Sequence, residues 1–161
     1  MSDREGRQAG EVAELALSRE LTLGVAESLT GGRLAAALAS AEDAATWFRG
    51  GVVAYVPAVK FEVLGVEPGP VNTASCAQQM ARGCLDVLGC DLSLAVTGVG
   101  GPGPDEGVPA GTVFLAVAGR DAGVEVVERH FEGEPADVVE QTVSAGLELL
   151  VRRLGPRAPG T

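Results

Sequence analysis

Val12, Leu15 and Ala16 fall on one face of a helix over residues 10–20, where polar residues occupy the other positions. The apolar run LTLGVAE at 21–27 is short and predicts a strand. TGGRLAAALAS at 30–40 is Ala-rich and predicts a helix. GGVVAYV at 50–56 predicts a second strand, and Pro57 suits the first turn of the short helix that follows in PAVKFEVLGV. After the turn EPGP, Asn72 or Thr73 can cap a helix that runs to about Leu88. DLSLAVTGV at 91–99 predicts a third strand, and GGPGPDEGVPAG at 100–111 a Gly/Pro loop. TVFLAVAG at 112–119 and GVEVVERHFEG at 123–133 predict an antiparallel strand pair. Pro135 opens a last helix with Val139, Val143, Leu147, Leu150 and Leu154 as its apolar stripe.

Helices alternate with strands through two thirds of the chain, and a meander follows. That order predicts an α/β domain: a mixed β-sheet with helices on both faces. No repeat or linker divides the chain, so residues 1–161 read as a single domain, ordered over about 10–154, with the tail GPRAPGT at 155–161 expected to fray. Ligands in such sheets collect at the carboxyl ends of strands. ESLTGG (27–32) and TGVGGPGP (97–104) both fall there and can face one crevice.

The chain is 46% hydrophobic but only 4% aromatic, so its core must be built from Ala, Val and Leu. Its formal net charge of −10 argues against nucleic acid or an anionic membrane as partner. The polar start MSDREGRQAGEV does not have the apolar segment of a secretion signal, and no apolar run is long enough to span a bilayer. Cys76, Cys84 and Cys90, with no leader, read as reduced, buried thiols in the cytoplasm. The cysteines lack metal-ligand spacing and His130 is the only histidine, so no metal or other cofactor is expected.

Three segments can carry chemistry. In AESLTGG, Ser28 and Thr30 supply hydroxyls beside the backbone N–H groups of a strand-to-helix turn, where a nucleophile and oxyanion donors can share one place. The same residues would also serve as an ordinary helix cap. Glu27 can orient Thr30 or a backbone amide. In AYVPAVK, Tyr55 is the only tyrosine and Lys60 the only lysine among twelve basic residues. Arginine serves wherever a positive charge suffices, so this position can need a group able to lose its proton; lysine can, arginine cannot. A lone surface lysine is the alternative. In TGVGGPGP, the glycines after Thr97 leave N–H groups free for an anion, or simply make a turn. A Ser-His-Asp triad would have to use His130, which reads as an exposed strand residue, and Asp105 and Glu106 read as solvated loop carboxylates.

Taken in order, AESLTGG, GGVVAYVPAVKFEVLGV and TGVGGPGP…PAGTV resemble the C-terminal domain of the competence/damage-inducible protein CinA family, over about residues 10–150. Stand-alone versions of that domain are nicotinamide mononucleotide deamidases. The resemblance implies a three-layer α/β/α fold, commonly a homodimer or higher homo-oligomer. It implies a metal-free amidohydrolase that converts nicotinamide mononucleotide and water to nicotinic acid mononucleotide and ammonia. The family's nucleophile falls on Ser28, and its tyrosine and lysine on Tyr55 and Lys60. Lys60, its pKa lowered by burial near Tyr55, would accept the Ser28 proton. Backbone N–H groups from Thr30 through Gly31 to Gly32 would hold the oxyanion. Thr97, Gly98 and Gly100 would line the substrate site.

The chain departs from the family pattern at several positions. Leu29 replaces a cysteine, Val56-Pro57 a Ser-Asn pair, Asn72 a serine and Val108 a lysine. Pro135 and Val139 stand where arginines are expected. A phosphate prefers such cations, each charge-assisted hydrogen bond contributing about 1.5–3 kcal/mol. Arg33 and Arg49 are the compensating candidates. The retained Ser28, Tyr55 and Lys60 point to an enzyme. The missing cations point to an amidohydrolase for another small amide, or to a binding domain that no longer turns this substrate over.

Overall fold

The computed structural model describes residues 1–156. In chain order the elements are α1 (Asp3–Arg19), β1 (Leu23–Glu27), α2 (Arg33–Ala39), α3 (Ala44–Trp47), β2 (Phe48–Val53), α4 (Pro57–Leu64), α5 (Ala74–Leu88), β3 (Leu92–Gly98), β4 (Thr112–Gly119), β5 (Val124–His130) and α6 (Pro135–Leu154). The five strands form one mixed sheet in the order β2-β1-β3-β4-β5. β1 runs parallel to β2 and β3, while β3–β4 and β4–β5 are antiparallel. Among the described residues, no helix is long and apolar enough to cross a membrane.

The three layers follow from alternation along the strands. Leu23 and Val25 of β1, Leu94 and Val96 of β3, and Val113, Leu115 and Val117 of β4 pack against α1, α2, α3 and α6. Apart from Phe114, the buried strand residues of the opposite face are small: Ala26, Ala95, Ala116 and Ala118, with Ser93 donating to Ala81 O at 2.6 Å. That flat surface lets α5 lie close, and α4 packs beyond it. α4 and α5 approach closely at Gly83, where an added Cβ would collide with the carbonyl oxygen of Leu64.

Several boundaries differ from the sequence expectation. α1 begins at Asp3 rather than near residue 10, because Ser2 and Glu5 close a capping box: Glu5 N–H donates to Ser2 Oγ and Ser2 N–H to Glu5 Oε2, each at 3.1 Å. The short α3 was not expected; it closes over Trp47, whose indole N–H donates to Glu42 O at 3.1 Å. β2 ends at Val53, not at 56, because the chain beyond turns inward toward α4. On α6, Val138 rather than Val139 faces the core. Gly155 ends α6 with its N–H on Val151 O at 2.8 Å, and the rest of the tail, from 157, lies outside the described residues.

Glu27 ties β1 to α2. It is fully buried and accepts from Thr30 Oγ1 at 2.6 Å, Leu34 N–H at 2.9 Å and Ala35 N–H at 2.9 Å. The N-cap of α2 is Gly32, which has no side chain to cap with, so a carboxylate from the preceding strand does it. Gly31 (φ +57°) and Gly32 (φ +103°) make the turn that brings the chain back over Glu27.

Two stability outcomes are expected in denaturant melts. Glu27→Ala should cost about 2–4 kcal/mol, since it orphans buried donors. Gly83→Ala should destabilise by about 1–3 kcal/mol or more, although Gly→Ala in an open helix interior stabilises.

Candidate active site

Because β1 and β3 are parallel neighbours, with Ala26 beside Ala95, their carboxyl ends open side by side. The chain leaves β1 toward β2 on one side of the sheet and leaves β3 toward β4 on the other. A crevice of this origin is where α/β sheets hold ligands. It measures about 270 Å³ and is lined by Ser28 and Leu29 after β1, Tyr55, Pro57 and Lys60 around the start of α4, Val71 and Asn72 before α5, Gly98 at the end of β3 with Gly100, Gly101 and Asp105 after it, and Pro135 and Val139 on α6. A larger hollow of about 830 Å³ lies at the opposite end of the sheet. Its arginines are engaged as braces: Arg19 on Leu154 O, Arg120 on Cys90 O and Leu85 O, and Arg152 on Glu125.

Lys60 is only 1% exposed. Its Nζ lies 2.9 Å from Ser28 Oγ, 2.8 Å from Ala54 O and 3.4 Å from Tyr55 O. No carboxylate pairs with it among the described residues. Burial lowers its pKa from the ordinary 10.5, opposed by weaker charge interactions with Cys76 and Glu106. The Cys76 thiol is itself pushed up to about 11, chiefly by burial, and so stays protonated near neutral pH.

The three neighbours suit both protonation states of the amine. Neutral, its two N–H bonds point to the two carbonyls and its lone pair accepts from the Ser28 hydroxyl. Protonated, all three N–H bonds are satisfied, one of them by Ser28 Oγ. A proton can therefore cross the 2.9 Å gap without rearrangement.

The residues expected from sequence divide into two groups. Ser28, Tyr55, Lys60, Gly98 and Gly100 come together around the crevice. Thr30, Gly31, Gly32 and Thr97 do not line it. Thr30 is buried with its hydroxyl on Glu27, and Gly31 N–H is used inside the turn, on Ser28 O at 3.1 Å. Fully buried Thr97 donates to Val71 O at 3.0 Å and so positions the 71–72 segment. The expected nearness of Lys60 to Tyr55 is to the backbone carbonyl; the Tyr55 side chain is at the mouth, and the residue is 66% exposed. Among the described residues, the N–H groups of Leu29, Gly100 and Gly101 have no hydrogen-bond acceptor and belong to crevice-lining residues, as do those of Ser28 and Tyr55, which makes them candidate oxyanion donors.

Asp105 and Glu106 are not merely solvated. Asp105 and Val108 exchange backbone hydrogen bonds of 3.0 and 2.8 Å, which fixes the loop. From it, Glu106 accepts from Val71 N–H at 3.1 Å and Asn72 N–H at 2.8 Å, while Asp105 Oδ2 accepts from Asn72 Nδ2 at 2.9 Å. Two carboxylates thus clamp the segment before α5 across the crevice floor. Sequence reasoning missed this pair, along with Leu29 and Gly101 as lining residues; the tight turn at Glu106–Gly107 was the available signal.

His130 is exposed at the end of edge strand β5, three strands from β1, with Nε2 3.0 Å from Glu128 Oε2. Cys76, Cys84 and Cys90 are buried free thiols. Among the described residues, no three His, Cys, Asp or Glu side chains are grouped to hold a metal ion.

Residues 6–154 match the model of the CinA C-terminal domain family. A CinA-like protein of Geobacter sulfurreducens is 41% identical over 150 residues, covering 89% of this chain and 36% of the relative. A protein of Levilactobacillus brevis described as a putative competence-damage inducible protein is 36% identical over 151 residues, covering 91% of this chain and 36% of the relative. The chain therefore spans about a third of the length of these relatives. Among solved structures, a CinA superfamily protein of Klebsiella pneumoniae superposes with a TM-score of 0.89 at 34% identity, over 93% of this chain and 97% of the other. One from Enterobacter cloacae superposes with a TM-score of 0.90 at 31% identity, over 94% and 92%. On the extent of these matches and the shared fold, the chain belongs to the CinA C-terminal domain family.

Proposed function

We propose that the protein is a metal-free serine amidohydrolase that cleaves the carboxamide of a nicotinamide-bearing small molecule to a carboxylate and ammonia. One observation carries this reading: Lys60 Nζ, buried and without a carboxylate partner among the described residues, lies 2.9 Å from Ser28 Oγ at a crevice between strand ends. Such a pair is the arrangement of an activated nucleophile and its base. Nicotinamide mononucleotide is the substrate that family resemblance implies.

In the proposed reaction, Ser28 Oγ attacks the amide carbon while its proton passes to neutral Lys60 Nζ. The carbonyl oxygen takes the negative charge and is held by N–H groups of Leu29, Gly100 and Gly101. The C–N bond then breaks as Lys60 returns the proton to the leaving nitrogen, which departs as ammonia. Water attacks the Ser28 ester and Lys60 accepts one of its protons; the C–O bond to Ser28 then breaks as Lys60 returns that proton to Ser28 Oγ, and the acyl group leaves as the carboxylic acid, which loses its proton to solvent to give the carboxylate. The Tyr55 ring, at the crevice mouth, packs against the substrate. Proton transfer belongs to Lys60 in both halves.

A second reading, a related domain that binds without turnover or acts on a different small amide, has its own support. Pro135 and Val139 present an apolar wall where the family resemblance places arginines.

Ammonia release from nicotinamide-type carboxamides at millimolar concentration should fall by about a thousandfold or more in Ser28→Ala. Lys60→Arg should lose activity to a similar degree, because arginine stays protonated. The rate should rise with pH through the lowered Lys60 pKa and fall below it, since only the neutral amine accepts the Ser28 proton. No release from any such amide, or full release by Ser28→Ala, would contradict the proposal.

A further inference from the structure

We infer that the crevice takes a small carboxamide that is neutral or positively charged and carries no phosphate; this rests on the amidohydrolase reading of the same site. Among the described crevice-lining residues, Lys60 is the only one that can carry positive charge, and its Nζ is already surrounded by Ser28, Ala54 and Tyr55. Asp105 adds a carboxylate to the lining, held in place by Asn72. Arg33 and Arg49, the cations that could have compensated, are elsewhere: Arg33 pairs with Glu5 at 3.3 Å, and Arg49 donates to Leu88 O at 2.9 Å.

A phosphate can also be held by backbone N–H groups at helix starts and turns. Around this crevice several of those groups are taken by the chain's own carboxylates. Glu27 occupies Leu34 and Ala35 N–H at the start of α2. Glu106 occupies Val71 and Asn72 N–H before α5. At the start of α6, Pro135 has no N–H, and Glu134 N–H is bonded to Asp137 Oδ2 at 2.8 Å. The unpaired N–H groups of Leu29, Gly100 and Gly101 lie with the nucleophile and are used by the carbonyl oxygen. Among the described lining residues an anion as large as a phosphate finds no cation besides Lys60, and it meets Asp105.

The remaining walls suit a flat, weakly polar or cationic ring. Leu29, Pro57, Val71, Pro135 and Val139 are apolar, and Tyr55 offers an aromatic face on which a pyridinium can rest. A pyridinium carboxamide riboside therefore fits better than its 5′-phosphate.

The test is calorimetric titration of the Ser28→Ala protein with nicotinamide riboside and with nicotinamide mononucleotide under identical buffer and salt. The riboside should bind about tenfold more tightly or better, and Val139→Arg or Asp105→Asn should narrow or invert the ratio. The kcat/KM ratio of the unsubstituted protein for the same two compounds should follow, which covers the case of a poorly folded variant. Equal or tighter binding of the mononucleotide overturns the inference, as does no riboside binding at millimolar concentration. Selective riboside binding without ammonia release would uphold the selectivity and overturn the amidohydrolase reading alone.

Discussion

A lysine amine without a carboxylate partner is expensive to bury as a cation, and much of this structure is arranged around one such amine. Lys60 sits one turn into α4, and its side chain reaches back to the carbonyls of Ala54 and Tyr55, just before that helix. Those two carbonyls are available because β2 stops at Val53 and the chain turns in instead of continuing along the sheet. The third neighbour, Ser28, comes from the end of the adjacent strand. The early end of β2, Pro57 at the head of α4 and the turn after β1 thus converge on one nitrogen.

The surrounding loops are held by carboxylates acting inward. Glu27 fixes the Ser28 turn to α2, and Glu106 with Asp105 fixes the 71–72 segment to the loop after β3. Thr97 adds a bond from the β3 end to the same segment. In an acidic chain this is economical: negative charge is placed on backbone N–H groups that would otherwise be unsatisfied. The consequence is a crevice rigid in its floor, with little left to attract an anion.

The layered fold was largely legible in sequence because the signals are local: short apolar runs at β1, β3 and β4, helical spacing on α1 and α6, and Pro or Thr at the starts of α4 and α5. Ser28 and Lys60 were legible for a different reason, as residue types out of keeping with their surroundings. What was not legible depended on long-range hydrogen bonding. Nothing local to Thr30 or Thr97 says that their hydroxyls turn inward to Glu27 and Val71, since an outward-facing hydroxyl has the same sequence. Asp105 and Glu106 looked like loop charges because their partners lie more than thirty positions away. Val139 fitted the apolar stripe of α6 by spacing, yet it lines the crevice, where its size and neutrality bear on the ligand instead of on the core.

Since Lys60 is the chain's only lysine, selective isotopic labelling of the lysine ε-carbon gives one side-chain resonance, whose chemical shift reports the amine's charge directly. An NMR pH titration of that resonance tests the central claim most directly. The structure predicts titration clearly below the ordinary 10.5, and a further change in the midpoint when Ser28 is replaced by alanine. A midpoint at or above 10.5, unaffected by Ser28, would mean a permanently charged lysine with no role as a base.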